Sequence, residues 1–302
     1  MSVRSNFVDA DVDVLNGAST FLSIVESEAR AHTVQLHLPE GWQNSVSGLD
    51  LQSSGKHNQF VAKSYDELVD SPIVAGRELV VGEFAVGGVV HRLAHLGDSC
   101  QWDLAETLAD VQRLVETEIR FWGVVPYEHY DFLNVILESG GGLEHLDSTL
   151  MMTRAFATRT SKDYRSWLGL VAHEFFHTWN AKRLRPAALG PFDYENENYT
   201  KSLWIAEGIT SYYDDLLLRR AGLLDEEQYL ERLGEQISKL PELLRNHAAS
   251  SSEIFSAVRG LRFRRMFQVN HNPAFGMSLC NRLFNRHLAV SQILSRDRAE
   301  DV

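Results

Sequence analysis

The sequence predicts an α+β fold in which a sheet lobe precedes a helical lobe, with the functional site between them. Two observations carry that reading. Short runs rich in β-branched and aromatic residues, separated by turn residues, fill roughly the first hundred positions. From Asp103 onward the apolar residues recur at helical spacing. In order, strands are expected at 7–15, 33–38 and 59–63, broken by Pro39-Glu40-Gly41 and by Ser53-Ser54-Gly55, and then at 79–84 and 89–94. Asp103 is a natural N-cap for a helix to about Trp122, because Leu104, Leu108, Val111, Leu114 and Val115 share one face. Strands at 130–137 and 149–156 follow, then a helix over 163–184 that Arg185-Pro186 ends. A polar loop at 187–200 leads to a helix that closes near Gly222. Asp225, with Gln228 three positions on, opens another helix to about Arg245, interrupted at Pro241. There is no internal repeat.

With 302 residues, 44% of them hydrophobic, the chain can bury one large or two modest cores. No apolar run approaches the roughly 20 residues of a membrane span, and Met1-Ser2-Val3-Arg4-Ser5-Asn6 does not read as a signal peptide. Nothing in the sequence fixes the compartment. Cys100 and Cys280 are too few for a disulfide framework and lack metal spacing. A net charge of −12 argues against a nucleic-acid partner.

The densest chemistry lies at His173-Glu174-Phe175-Phe176-His177. On a helix, residues four apart stand one above the other, so two imidazoles can close on one metal ion. Glu174, beside the first ligand, is placed to act as general base on a water at that metal. The alternative, two core histidines on an amphipathic helix, leaves a carboxylate buried beside them without a cation, which is expensive. Glu207 stands out as a third ligand because it interrupts the apolar run Leu203-Trp204-Ile205-Ala206. The alternative for Glu207 is a solvated helix carboxylate. Asp193, Glu195 and Glu197 lie in a polar stretch and read as solvated.

Upstream, Gly140-Gly141-Gly142-Leu143-Glu144-His145 sits between two strand-like runs. Glycines there permit close approach of backbone to a ligand, and the strand after them is a candidate edge for pairing with an extended peptide. Glu144 would then be a fixed negative charge suited to a free α-amino group. A plain hairpin with solvated Glu144 and His145 is the other reading.

Three words in order, Gly-Gly-Leu-Glu-His at 141–145, His-Glu-Phe-Phe-His-Thr-Trp-Asn-Ala-Lys-Arg-Leu-Arg-Pro at 173–186 and Leu-Trp-Ile-Ala-Glu-Gly-Ile-Thr-Ser-Tyr-Tyr at 203–213, resemble the glycyl aminopeptidase-type metallopeptidases of the gluzincin clan. Weaker matches are Ser-Val-Arg-Ser-Asn-Phe-Val near the start and Asp-Glu-Leu-Val-Asp-Ser-Pro at 66–72. The resemblance implies a thermolysin-like catalytic domain of sheet lobe plus helical lobe at 79–245, preceded at 1–78 by the last part of a β-rich N-terminal domain. It implies His173, His177 and Glu207 as ligands of one zinc ion, Glu174 as catalytic base, and Glu144, with Gly141, Gly142 and His145, as the substrate-binding segment. The implied activity is release of small N-terminal residues, glycine or alanine, from peptides. Family members often carry a PDZ module, which is not recognisable in this chain. A donor for the oxyanion is needed as well, and His145, Tyr212 and Tyr213 are the candidates. Counting 100° per residue turns both tyrosines away from the face of Glu207, so packing is expected of at least one. Asn180, Thr210 and Ser211 are candidates for orienting the ligands.

The resemblance stops near residue 245. Residues 1–244 carry 20 basic and 37 acidic side chains, whereas 245–302 carry 9 basic, all arginine, and 4 acidic. That tail, with Arg262, Arg264 and Arg265 close together, reads as a solvated end, a non-native continuation or a basic arm. Besides the aminopeptidase, the sequence leaves open a truncated, non-catalytic zinc-binding protein and a zinc endopeptidase.

Overall fold

The computed structural model describes residues 2–23, 29–42, 44–51, 57–194 and 196–246, with side chains as far as residue 238. The expected turn at 53–55, Glu195, Cys280 and the arginine-rich segment beyond residue 246 lie outside them. The fold is α+β, as the sequence predicts.

Strands β1 (Phe7–Val8), β2 (Val12–Leu15), β3 (His32–Gln35), β4 (Ser45–Ser47), β5 (Asp50–Leu51), β6 (Gln59–Ala62) and β7 (Ile73–Gly76) form two antiparallel sheets, ordered β1-β2-β7-β4 and β3-β6-β5. Two short helices, α1 (Gly17–Thr20) and α2 (Tyr65–Val69), lie among them. The single strand expected over 7–15 is a hairpin. The Asp9 carboxylate accepts the N–H groups of Asp11 and Val12, each at 2.8 Å, and that local turn outcompetes extension.

Strands β8 (Leu79–Val86), β9 (Val89–Gly97), β10 (His129–Ile136), β11 (Gly141–Glu144) and β12 (Ser148–Thr153) make a five-stranded sheet ordered β11-β12-β10-β9-β8. Strand β10 runs parallel to both β9 and β12, and the other pairs are antiparallel. Helix α3 (Leu104–Trp122) makes the crossover from β9 to β10. Asp103 caps it by accepting the N–H groups of Ala105 and Glu106, and Gly123 ends it at φ 76°. Its buried Val111, Leu114 and Val115 contribute about 1.5–3 kcal/mol each.

Residue 78 marks no break in the core. Val12, Val14, Val46 and Val74 pack in one cluster with Ala94, Leu96, Leu133, Val135 and Leu150. The four-stranded N-terminal sheet therefore rests on the larger sheet through apolar contact.

Helix α4 (Ser161–Phe176) starts at Thr160, whose hydroxyl accepts the Asp163 N–H, and buries Trp167, Leu168, Val171, Ala172, Phe175 and Phe176. It stops at Phe176, eight residues before the end expected from the sequence. Residues 177–184 form a tight turn instead, with Ala181 at φ 119° and the Lys182 N–H donating to the His177 carbonyl at 3.0 Å. The helical pairing ends at Asn180, whose N–H still reaches the Phe176 carbonyl at 3.1 Å; its own carbonyl is taken by His177 Nδ1 at 2.8 Å, and its side chain is committed to carbonyls of a distant segment. That segment is a single π turn, Trp204–Gly208, in which the Ile209 N–H reaches the Trp204 carbonyl five residues back. It continues into α5 (Ile209–Arg220), closed by Gly222 at φ 73°. In α6 (Glu226–Asn246) the Asp225 and Gln228 side chains cap each other's backbone N–H groups. The helix runs through Pro241 without the expected interruption. Among the described residues no helix is long and apolar enough to cross a membrane.

Candidate metal centre

The last turn of α4 puts the rings of His173 and His177 together, with their Nε2 atoms 3.1 Å apart. Glu207, on the π turn, brings Oε2 to 3.4 Å from His173 Nε2 and 3.7 Å from His177 Nε2. All three side chains are buried. The other ring nitrogens decide the tautomers. His173 Nδ1 donates to the Asp214 carboxylate at 3.0 Å, and His177 Nδ1 donates to the Asn180 carbonyl at 2.8 Å. Both partners only accept, so each ring carries a proton on Nδ1, and in its neutral form presents the Nε2 lone pair. Glu207 Oε1 is buried with no hydrogen-bond partner among the described residues. Three donor atoms thus converge, an arrangement that calls for a positive charge among them, a proton or a metal ion.

The electrostatics agree. Burial alone would lower His173, but its hydrogen bonds to Asp214 and Glu207 and the Glu174 charge outweigh burial and push it up to about 10. His177 is likewise raised against burial, chiefly by Glu207 and Glu144. Glu207 is lowered, burial notwithstanding, by the two histidines. Without an ion, a proton supplies the positive charge that these carboxylates demand, and a metal ion would replace it. Glu174 is pushed up to about 7 by burial and by the charges of Glu144 and Glu207.

A second donor set, Glu144, Glu174 and His177, also has its atoms within 4.8 Å of one another. It shares His177, whose one bare nitrogen can serve only one ion. The set His173, His177 and Glu207 has both rings held in the ligating tautomer, and it leaves Glu174 free.

Residues 1–77 match the family described as the peptidase M61 N-terminal domain, and residues 166–269 match M61 glycyl aminopeptidase. The chain belongs to the M61 peptidase family. The second match continues to residue 269, past 245, where the recognisable words of the M61 sequence stop. The structure is similar to the crystal structure of an aminopeptidase N family protein from Idiomarina loihiensis, with a TM-score of 0.75 and 33% identity. That likeness covers 80% of this chain and 42% of the Idiomarina protein, so the M61 chain spans less than half the length of that relative. No curated protein matches the chain by sequence.

In this M61 chain the glycine-rich segment is itself a strand. β11 pairs with β12 in the register Gly141↔Met152 to Glu144↔Thr149 and stands at the end of the sheet. The edge expected at 149–156 is therefore at 141–144, and β12 is interior. Gly141 has φ 123°, open to glycine but strained for other residues. A Cβ at Gly142 would overlap the Glu174 carboxylate, so the absence of a side chain there is what lets Glu174 lie on the strand. Glu144 and His145 are both 4% exposed, which removes the solvated-hairpin reading.

Of the remaining candidates, Tyr213 is buried against Phe176, stacked at 5.5 Å, and Tyr212 is 41% exposed. Tyr213 is thus a packing residue in the core. Asn180 and Thr210 do orient the centre. The Asn180 amide donates to the Ile205 and Ala206 carbonyls and to Thr210 Oγ1, each at 2.9 Å, which holds the π turn that carries Glu207. Ser211 Oγ has no partner among the described residues. Two residues escaped the sequence reading. Asp214 lies seven positions after Glu207, two helical turns on, and that spacing could have revealed it. Asp70 stands in the word Asp-Glu-Leu-Val-Asp-Ser-Pro, with no local pattern to mark it.

Proposed function

We propose that this chain is the catalytic part of a zinc aminopeptidase that releases small N-terminal residues, glycine or alanine, from peptides. The observation that carries the proposal is the convergence of two bare imidazole nitrogens and the Glu207 carboxylate beside Glu174. His173, His177 and Glu207 would hold the ion. When bound, zinc acts as a Lewis acid on the scissile carbonyl and lowers the pKa of a water to about 7.

The rest belongs to the chain's own side chains. Glu174, with a pKa pushed up to about 7, is matched to take a proton from the attacking water and return it to the leaving amine. Glu144 accepts the α-ammonium of the substrate, which sets the scissile bond one residue from the N-terminus. Edge strand β11 offers backbone groups to an extended peptide. His145, beside Glu144, has a buried Nε2 without a hydrogen-bond partner among the described residues, and it is the oxyanion donor this arrangement favours. The partner is a peptide with a free amine. The burial of Glu144 beside Glu174 favours this over endopeptidase action, since a carboxylate there discourages a neutral peptide from passing through.

The test is release of glycine or alanine from short free-amine peptides by the zinc-loaded chain, beside Glu174→Gln and beside N-acetylated peptides. Turnover of free-amine peptides alone, lost in Glu174→Gln, is expected. Equal turnover of acetylated peptides would make the protein an endopeptidase. No turnover from a folded, zinc-loaded chain would make it a metal-binding protein without catalysis.

A further inference from the structure

Asp70 ends helix α2 in the N-terminal sheets, yet its carboxylate is spent on the active-site side of the molecule. Oδ2 accepts the Leu146 N–H at 2.8 Å, in the turn that joins β11 to β12 immediately after Glu144 and His145. Oδ1 accepts from Lys182 Nζ at 2.7 Å, and His145 Nδ1 stands 3.4 Å from the same oxygen. Lys182 is 3% exposed and lies in the tight turn whose backbone also bonds the His177 carbonyl. One carboxylate therefore ties together the turn behind the amine-binding strand and the turn behind a metal ligand. Arg183 grips the same hairpin from the other side, donating to the Leu146 carbonyl at 2.8 Å and to Asp147 at 2.7 Å. The backbone N–H and C=O of Leu146 are thus both held by charged side chains, which is far stronger restraint than a solvent-exposed turn receives. Burial would raise the Asp70 carboxyl, but Lys182 and His145 hold it below the usual range, so it is ionised when it does this.

We propose that Asp70 is a positioning residue through which the N-terminal module fixes Glu144 and His145 relative to the metal centre, and thereby sets the preference for a free α-amine. The proposal rests on the aminopeptidase reading of Glu144. The N-terminal sheets are, on this account, part of the working site and not a separate appendage. This matters because a carboxylate that must meet an ammonium next to a metal ion works only if held to a fraction of an ångström.

The experiment compares two hydroxamates on the zinc-loaded full chain by isothermal titration: glycine hydroxamate, which can engage both metal and Glu144, and acetohydroxamate, which can engage the metal alone. The wild type is expected to prefer the first. Asp70→Asn is expected to reduce that preference by about tenfold or more while acetohydroxamate affinity and zinc content stay unchanged. A purely structural role would weaken both ligands together. Because Asp70→Asn strands the buried Lys182 charge, the double variant Asp70→Asn/Lys182→Met serves as the folded control, since removing both partners of a buried pair is often tolerated. Retained preference in either folded variant overturns the proposal. A wild type with no preference sinks the reading of Glu144 instead. The Asp70 anchor is then judged by hydrogen exchange of the Leu146 amide, which must speed up in the double variant if the carboxylate holds that turn and must not if it does not.

Discussion

The Asp214 carboxylate accepts the Nδ1 proton of His173 at 3.0 Å, with both groups buried. This contact spans 41 residues of sequence and connects α5 to α4. It fixes the ring so that Nε2 faces His177 and Glu207, and its negative charge makes that nitrogen a better donor to a metal. Asp214→Asn should keep the fold and weaken zinc binding by about 10–100-fold. Competition against a chromogenic chelator measures it, and unchanged affinity would show that the ring is held by packing alone.

Gly142 leaves no room for a side chain because Glu174 occupies the place where a Cβ would be. Its φ lies outside the positive range, so alanine strains no backbone and the whole effect falls on the carboxylate. Gly142→Ala should retain zinc and thermal stability yet lose on the order of 100-fold in kcat/KM, as expected for a displacement of about 1 Å. Full activity in Gly142→Ala would argue against Glu174 as the base.

Two buried histidines outside the candidate metal centre should make stability fall in mild acid. His91 and His95 are fully buried, and burial depresses both to about 4. For His95 the geometry is closed. Asn134 Oδ1 accepts from Trp167 Nε1 and Thr153, so its amide N–H must point at His95 Nδ1, which cannot then carry a proton. The unfolded state binds protons from about pH 6.5 downward while the folded state resists until about 4, so stability is lost as pH falls through that window. Each histidine should cost on the order of 2 kcal/mol by pH 5. Urea unfolding of wild type and His95→Gln at pH 7 and pH 5 tests this. The variant should lose clearly less on acidification, and an equal loss would refute the assignment.

Chelation would remove a zinc ion held by His173, His177 and Glu207, but it leaves the apolar core between the sheets intact. The apo chain should therefore stay folded and melt lower, by the equivalent of about 4 kcal/mol if zinc is present at 1,000 times its Kd. Adding zinc back should restore the melting temperature in the wild type and much less in Glu207→Gln. If zinc does not shift the wild type, these three residues are not a metal centre.

Local signals were read where a few neighbouring residues decide the outcome. Asp103 caps α3, and Asp225 with Gln228 caps α6, because side chain and backbone meet within three residues. The same kind of local contact was missed at Asp9, where a side-chain turn splits one expected strand into two. The end of α4 was misplaced for a different reason. Nothing between 177 and 184 forbids a helix, and the chain leaves it where Ala181 turns to φ 119° and His177 Nδ1 takes the Asn180 carbonyl. The edge strand was placed one strand too late, because register and strand order depend on pairing that no short window contains.

The sequence by itself determined the pairing of the two histidines with Glu174 beside them, since an i, i+4 spacing on a helix needs nothing beyond helical geometry. Only the tertiary structure decided how near Glu207, already singled out in the sequence, comes to both rings, which groups hold each Nδ1, and that Asp70 reaches Lys182 across 112 residues. Those contacts join segments that share no local period. They exist because the core of the sheets and the packing of α4 against α5 hold the segments in place, and side-chain chemistry then follows from where the backbone has put it.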